Sequence, residues 1–183
     1  MQFTSTIVAT LFAVTAFASP LKVRQNDQSP IYPGLFVPLR QDQPETAFGN
    51  QPTAFISQQD NQSKITTLTS FNLDPNYNTC SLSFKVSQGE GQLYSFTGTQ
   101  SFAVYPSSGF SYSDVTWNTQ PQPATQSYGV IQINTQGESN QLSFPCQHPY
   151  NELLLTPADD NNVDIWWTEL DNPTVGLVLT QST

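Results

Sequence analysis

The clearest signal along the chain is a period of two. Cys80, Leu82, Phe84 and Val86 fall to one side of an extended segment and Ser81, Ser83, Lys85 and Ser87 to the other, the alternation of a half-buried β-strand. The same alternation recurs in Leu142, Phe144 and Cys146, in Val163, Ile165 and Trp167, and in Val175, Leu177 and Leu179. Less regular runs over residues 35–39, 53–57, 65–71, 93–104, 128–134 and 152–156 are further strand candidates. Turn residues separate them, as in Asp74-Pro75-Asn76, Gly89-Glu90-Gly91, Pro106-Ser107-Ser108-Gly109 and Gln136-Gly137. No window carries apolar residues at helical spacing, and Pro or Gly interrupts most stretches of helical length. Roughly eight to ten short strands with turns between them predict an all-β fold, an antiparallel β-sandwich or barrel, of which the sandwich is the expected form.

The ends of the chain bear on compartment. Residues 7–18 are an apolar run closing in Ala16-Phe17-Ala18, which reads as a secretory signal peptide, residues 1–18. A run of about a dozen residues is shorter than the roughly 20 that span a bilayer. Residues 19–33, with Arg24, Pro30 and Pro33, read as a polar pro-segment or flexible lead-in, and residues 34–180 as one domain. No later segment suggests a membrane span or a GPI anchor. The expected location is therefore secreted, extracellular or cell-wall associated. In an oxidising compartment the two cysteines, Cys80 and Cys146, predict one inter-strand disulfide that could cross the core; two separate buried thiols are the alternative. Asn61-Gln62-Ser63 is a glycosylation sequon in a polar turn.

Composition narrows the partners. Five Lys and Arg stand against 14 Asp and Glu, a formal charge of -9, so nucleic acid and anionic membrane surfaces are unfavourable partners. Every unit of that charge lies after Lys85, where nine acids meet no basic residue. Polarity is otherwise neutral: Gln, Asn, Ser and Thr make up 73 of the 183 residues. The single histidine, His148, is followed by Pro149 and reads as a turn residue rather than a proton shuttle, and one His with two paired cysteines does not make a zinc site. No catalytic set and no cofactor is expected.

Three ideas attach to the acidic C-terminal third. Paired carboxylates among Asp159, Asp160, Asp164, Glu169 and Asp171 could serve glycoside hydrolysis, although Asp164 and Glu169 fall on opposite faces of a strand. Asp160, Asn162, Asp164 and Asp171 occupy oxygen positions one, three, five and twelve of a calcium loop, but Ile165 stands where that loop needs glycine and Asp171 where it needs glutamate. Trp166, outward by parity beside Asp164, could stack on a sugar ring as a carbohydrate-binding pair.

Several motifs together resemble a known family. These are Phe36-Val37-Pro38-Leu39, Pro44-Glu45-Thr46-Ala47-Phe48-Gly49, Cys80-Ser81-Leu82-Ser83-Phe84, Phe144-Pro145-Cys146, and Asp164-Ile165-Trp166-Trp167 with Asn172-Pro173 and Gly176-Leu177. Across residues 34–180 or so the chain is similar to the fungal ubiquitin-three-binding (But) C-terminal domain family. The resemblance implies a small fungal β-sandwich, usually secreted or wall-associated, without an established catalytic activity. Two details differ or agree locally: members often end in a cysteine after the Gly-Leu strand, absent here, and the acid common after the tryptophan pair is present as Glu169. The expected role is a structural or interaction protein of the wall or extracellular matrix, with wall polysaccharides or wall proteins as partners. The alternatives are a carbohydrate-binding module and, third, a carboxylate hydrolase.

Overall fold

The computed structural model describes residues 29–87, 93–134 and 136–183, so the apolar leader and most of the lead-in lie outside the described residues. Among the described residues there are eleven strands and no helix: β1 (Leu35–Arg40), β2 (Thr53–Gln59), β3 (Gln62–Asn72), β4 (Thr79–Val86), β5 (Tyr94–Gly98), β6 (Ser101–Ser107), β7 (Gly129–Gln132), β8 (Leu142–Pro145), β9 (Tyr150–Pro157), β10 (Val163–Thr168) and β11 (Val175–Ser182). All pairings are antiparallel. One sheet runs β5-β10-β2-β3-β9-β6-β7 with β1 on β3, and a second, β11-β4-β8, packs across it.

The eleventh strand arises where a single segment over 93–104 was expected. Gly98, at φ +74, breaks it into β5 and β6, and a Cβ there would lie 2.0 Å from the Asn162 carbonyl oxygen. Only glycine fits so close an approach to a neighbouring backbone.

The large sheet forks at β3. Ile65 pairs with both Arg40 of β1 and Ser57 of β2, while Thr67 pairs with both Pro38 of β1 and Leu155 of β9. A strand has two edges, so β2 and β9 must share one of them in succession, with β1 alone on the other. Where β2 peels away, the Phe55 backbone would lose its partners. The fully buried Thr67 hydroxyl supplies them, accepting from Phe55 N at 3.1 Å and donating to Phe55 O at 2.6 Å. The fork yields two branches, β2-β10-β5 and β9-β6-β7, and only Thr99 and Gln100 join β5 to β6, which keeps the branches together.

The inward faces and the second sheet enclose the main core. Trp167 is its centre: it stacks on Phe102 at 6.0 Å between centroids and meets Phe84 and Phe36 edge-on at 5.2 and 5.6 Å. The alternating residues predicted to point inward on β4, β10 and β11 are all buried there. Cys80 and Cys146 are bonded. The bridge does not cross the core, however. Cys80 lies opposite Phe144, and Cys146 follows β8 directly with its amide on Asn78 O, so the bond staples neighbouring strands within the small sheet.

A second, smaller core lies on the outer face of β1, β3 and β9, where Val37, Leu39, Leu68 and Leu154 are capped by Val115 and Trp117 from the connection between β6 and β7. Asp60 and Asn61, at φ 49 and 56, form the tight turn between β2 and β3, which leaves Asn61 exposed. Ahead of β1, Ile31 exchanges backbone hydrogen bonds with Leu179 of β11 at 2.8 and 3.0 Å.

Candidate functional site

The residues singled out from sequence are held by β10, which lies between β5 and β2. Trp166 stands opposite Phe55 and Ser95, and Asp164 opposite Ser57 and Thr97, both turned away from the core as their parity requires. Trp166 is half-buried and Asp164 exposed. They share a face but not a concavity: Asp164 borders a cavity of about 100 Å³ whose lining does not include Trp166. That volume is well below the several hundred Å³ typical of ligand pockets.

The four oxygen ligands of the calcium reading do not converge. Asp160 and Asn162 precede β10, whereas Asp171 follows it, with a six-residue strand between them. Six residues of strand extend about 20 Å, far more than a coordination sphere spans. Asn162 is committed elsewhere, accepting from the Asp60 amide at 2.6 Å and so tying the β2–β3 turn to β10. Among the described residues no three His, Cys, Asp or Glu side chains cluster as metal ligands would. His148 holds a turn, its Nε2 lying 2.7 Å from Tyr77 O.

Among the described residues Glu169 is the most perturbed acid. Its Oε2 accepts from the Trp167 indole at 2.8 Å and from Leu177 N at 3.2 Å, while Oε1 is buried without a partner. Burial pushes its pKa up to about 8 against the opposing pull of those two donors, so the carboxyl is neutral over most of the physiological range. The space it fills is cleared by Gly176, where a Cβ would lie 2.1 Å from the carboxylate. Glu169 and Asp171 both line a groove of about 540 Å³, but the Glu169 carboxyl is engaged with the core tryptophan and the β11 backbone. Elsewhere, burial raises the Tyr128 hydroxyl, and Arg40 holds the exposed Asp42 below the usual carboxylate range.

A further concavity lies on the outer face of β3, β9 and β6. It measures about 360 Å³. Parity puts Lys64 and Thr66 of β3, Leu154 and Thr156 of β9 and Tyr105 of β6 on this face, and the β6–β7 connection lays Trp117, Gln120 and Gln122 over it. That connection is fixed by its own hydrogen bonds. Thr116 N donates to Thr119 Oγ1 at 2.9 Å, Gln120 Nε2 to Trp117 O at 2.9 Å, and Asn118 N to Pro44 O at 3.1 Å. Trp117 and Tyr105 are half-buried in the wall. Two polar atoms of lining residues, Gln58 Oε1 and Thr66 Oγ1, are buried without a hydrogen-bond partner.

Sequence reasoning passed over this site. Residues 106–109 read as a turn, and Trp117 follows them with no periodic pattern around it. The available signal was length: the connection between β6 and β7 carries Phe110, Tyr112, Val115 and Trp117 in an otherwise polar stretch, more apolar mass than a plain loop needs.

Among curated proteins none matches the chain. A family model does, over residues 31–173, the greater part of the chain. The chain therefore belongs to the ubiquitin 3 binding protein But2 C-terminal domain family.

Proposed function

We propose that this chain is a non-catalytic binding module that works outside the cytosol, as a structural or interaction protein of the cell wall or extracellular matrix. The observation that carries the reading is the preformed cleft under Trp117 and Tyr105, whose covering loop is held in place before any ligand arrives. The Cys80–Cys146 bond supports the compartment, since structural disulfides persist where the surroundings are oxidising. The apolar run over residues 7–18 is consistent with export.

Incubating the intact, disulfide-bonded chain with washed fungal wall material, alongside cytosolic extract, tests the reading. Retention on the wall and recovery of tagged protein from the medium or wall fraction is the expected result. Recovery only from the cytosol, with both thiols free, would overturn it. The family description favours a second reading, a partner of the ubiquitin type. Immobilised ubiquitin in the same experiment reads that possibility directly.

A further inference from the structure

We propose that the cleft between the β3-β9-β6 face and the β6–β7 connection binds a neutral saccharide chain, with Trp117 and Tyr105 as the apolar surface for a sugar ring. The inference rests on the reading of the chain as an extracellular binding module and names the ligand class. Its argument is the chemistry of the lining. A sugar presents two kinds of surface: C–H faces that pack on aromatic rings, and hydroxyls that each donate and accept. The cleft offers both. Trp117 and Tyr105 are half-buried, so each exposes part of a ring whose position the small outer core fixes. The polar lining is dominated by Gln58, Gln120, Gln122, Thr66 and Thr156; Gln58 Nε2, Gln120 Nε2 and the Thr156 hydroxyl already donate within the protein, so these three side chains offer chiefly their oxygens as acceptors, while Gln122 stands exposed.

Charge argues in the same direction. The lining carries one lysine, Lys64, against Asp159 and Asp160, so an anionic ligand meets net repulsion, added to the chain's -9. An acyl chain would leave the buried Gln58 Oε1 and Thr66 Oγ1 without partners. The floor carries the second observation: Gln58 is 1 % and Thr66 5 % exposed, and Gln58 Oε1 and Thr66 Oγ1 find no hydrogen-bond partner. Buried polar atoms of native proteins are nearly always paired, and a hydroxyl seated at this floor supplies what the protein does not. A cavity of about 360 Å³ takes one or two sugar rings, so a longer chain would run out past Gln122, which is exposed at the rim.

The test is titration calorimetry on the full chain with chitohexaose, laminarihexaose and cellohexaose, and polygalacturonate as the anionic contrast. Binding of at least one neutral oligomer, with none of the polyanion, is expected. Trp117→Ala should weaken it about tenfold or more and Gln122→Ala about threefold, whereas Trp117→Phe keeps most of the affinity. Because Trp117 also caps the outer core, near-ultraviolet circular dichroism checks that Trp117→Ala is folded; if it is not, Gln122→Ala decides alone. No heat and no fluorescence change with any neutral oligomer at millimolar concentration would overturn the inference, as would binding that is unchanged in every folded variant. Retention on wall material without oligosaccharide binding would sink the sugar and leave the interaction reading standing.

Discussion

Replacing Glu169 by Gln should change how stability depends on pH. The carboxyl has an ordinary pKa of 4.5 and is pushed up to about 8 in the fold, chiefly by burial. Below about 4.5 both the folded and the unfolded chain hold this proton, and pH has no leverage through it. Between 4.5 and about 8 only the folded chain holds it, so every rise in pH favours unfolding by about 1.36 kcal/mol per unit. Above about 8 neither state holds it and the full penalty, on the order of 5 kcal/mol, has been incurred. Glutamine keeps an acceptor for the Trp167 indole and the Leu177 amide while removing the ionisation. Urea unfolding of both proteins from about pH 5 to about pH 8.5 should give a wild-type stability that falls steeply and a Glu169→Gln curve that is flatter, so the gap between them widens with pH. The readout is the difference in slope, which is insensitive to any constant cost of the substitution. Parallel curves would refute the claim that the carboxyl is buried as a neutral acid.

Other expectations follow from the same geometry. Replacing Cys80 and Cys146 together by serine opens a loop closed across a separation of 66 residues and should cost about 4 kcal/mol, read as a lowered urea midpoint. Thr67→Val strands the Phe55 N–H and C=O at the sheet fork and should cost about 2–4 kcal/mol, with Thr67→Ser restoring most of it; equal stability of all three proteins would remove the proposed role of that hydroxyl. Gly176→Ala places a methyl group on the Glu169 carboxylate at a φ of +125 and should destabilise by more than about 2 kcal/mol in thermal unfolding. Excess calcium should leave the melting temperature within about 1 °C of its value in chelator, since a site filled to 100 times its Kd would add about 2.7 kcal/mol.

The strands were legible because their signal is local. Leu82, Phe84 and Val86, or Val163, Ile165 and Trp167, announce an inward face by their own spacing, and all of them are buried. The fork at β3 was not legible: Thr66, Thr67 and Thr69 look alike in sequence, and only the succession of β2 and β9 on one edge makes the Thr67 hydroxyl a substitute for a missing ladder. The disulfide shows the same limit. Two cysteines on apolar faces are compatible with a bond between sheets or within one, and the choice depends on β8 lying beside β4. Glu169 was visible as an acid after a tryptophan pair, yet its environment comes from β11, where Gly176 leaves the space it occupies.

Periodicity draws attention to Trp166, whereas the cleft is built around Trp117. Trp166 was conspicuous because β10 is so regular that one residue out of phase stands out. Regularity, however, belongs to a sheet face, and Trp166 lines none of the concavities described above. Concavity here comes from the irregular part of the chain: the β6–β7 connection folds back over Thr66, Tyr105 and Leu154 and leaves a gap at its border. The same connection is rich in neutral polar residues, 11 of the 21 between β6 and β7. A loop this long must satisfy its own backbone at the surface without the ladder of a sheet, and Thr116, Thr119, Asn118 and Gln120 do so with short hydroxyl and amide bonds. Those groups need no counter-ion and bring no long-range field. Among the described residues, the acids after Lys85 that line the cleft are Asp159 and Asp160. On the proposed reading, the acidity of the C-terminal strands disfavours polyanions, and selection among the remaining ligands falls to the rings and amides of the cleft.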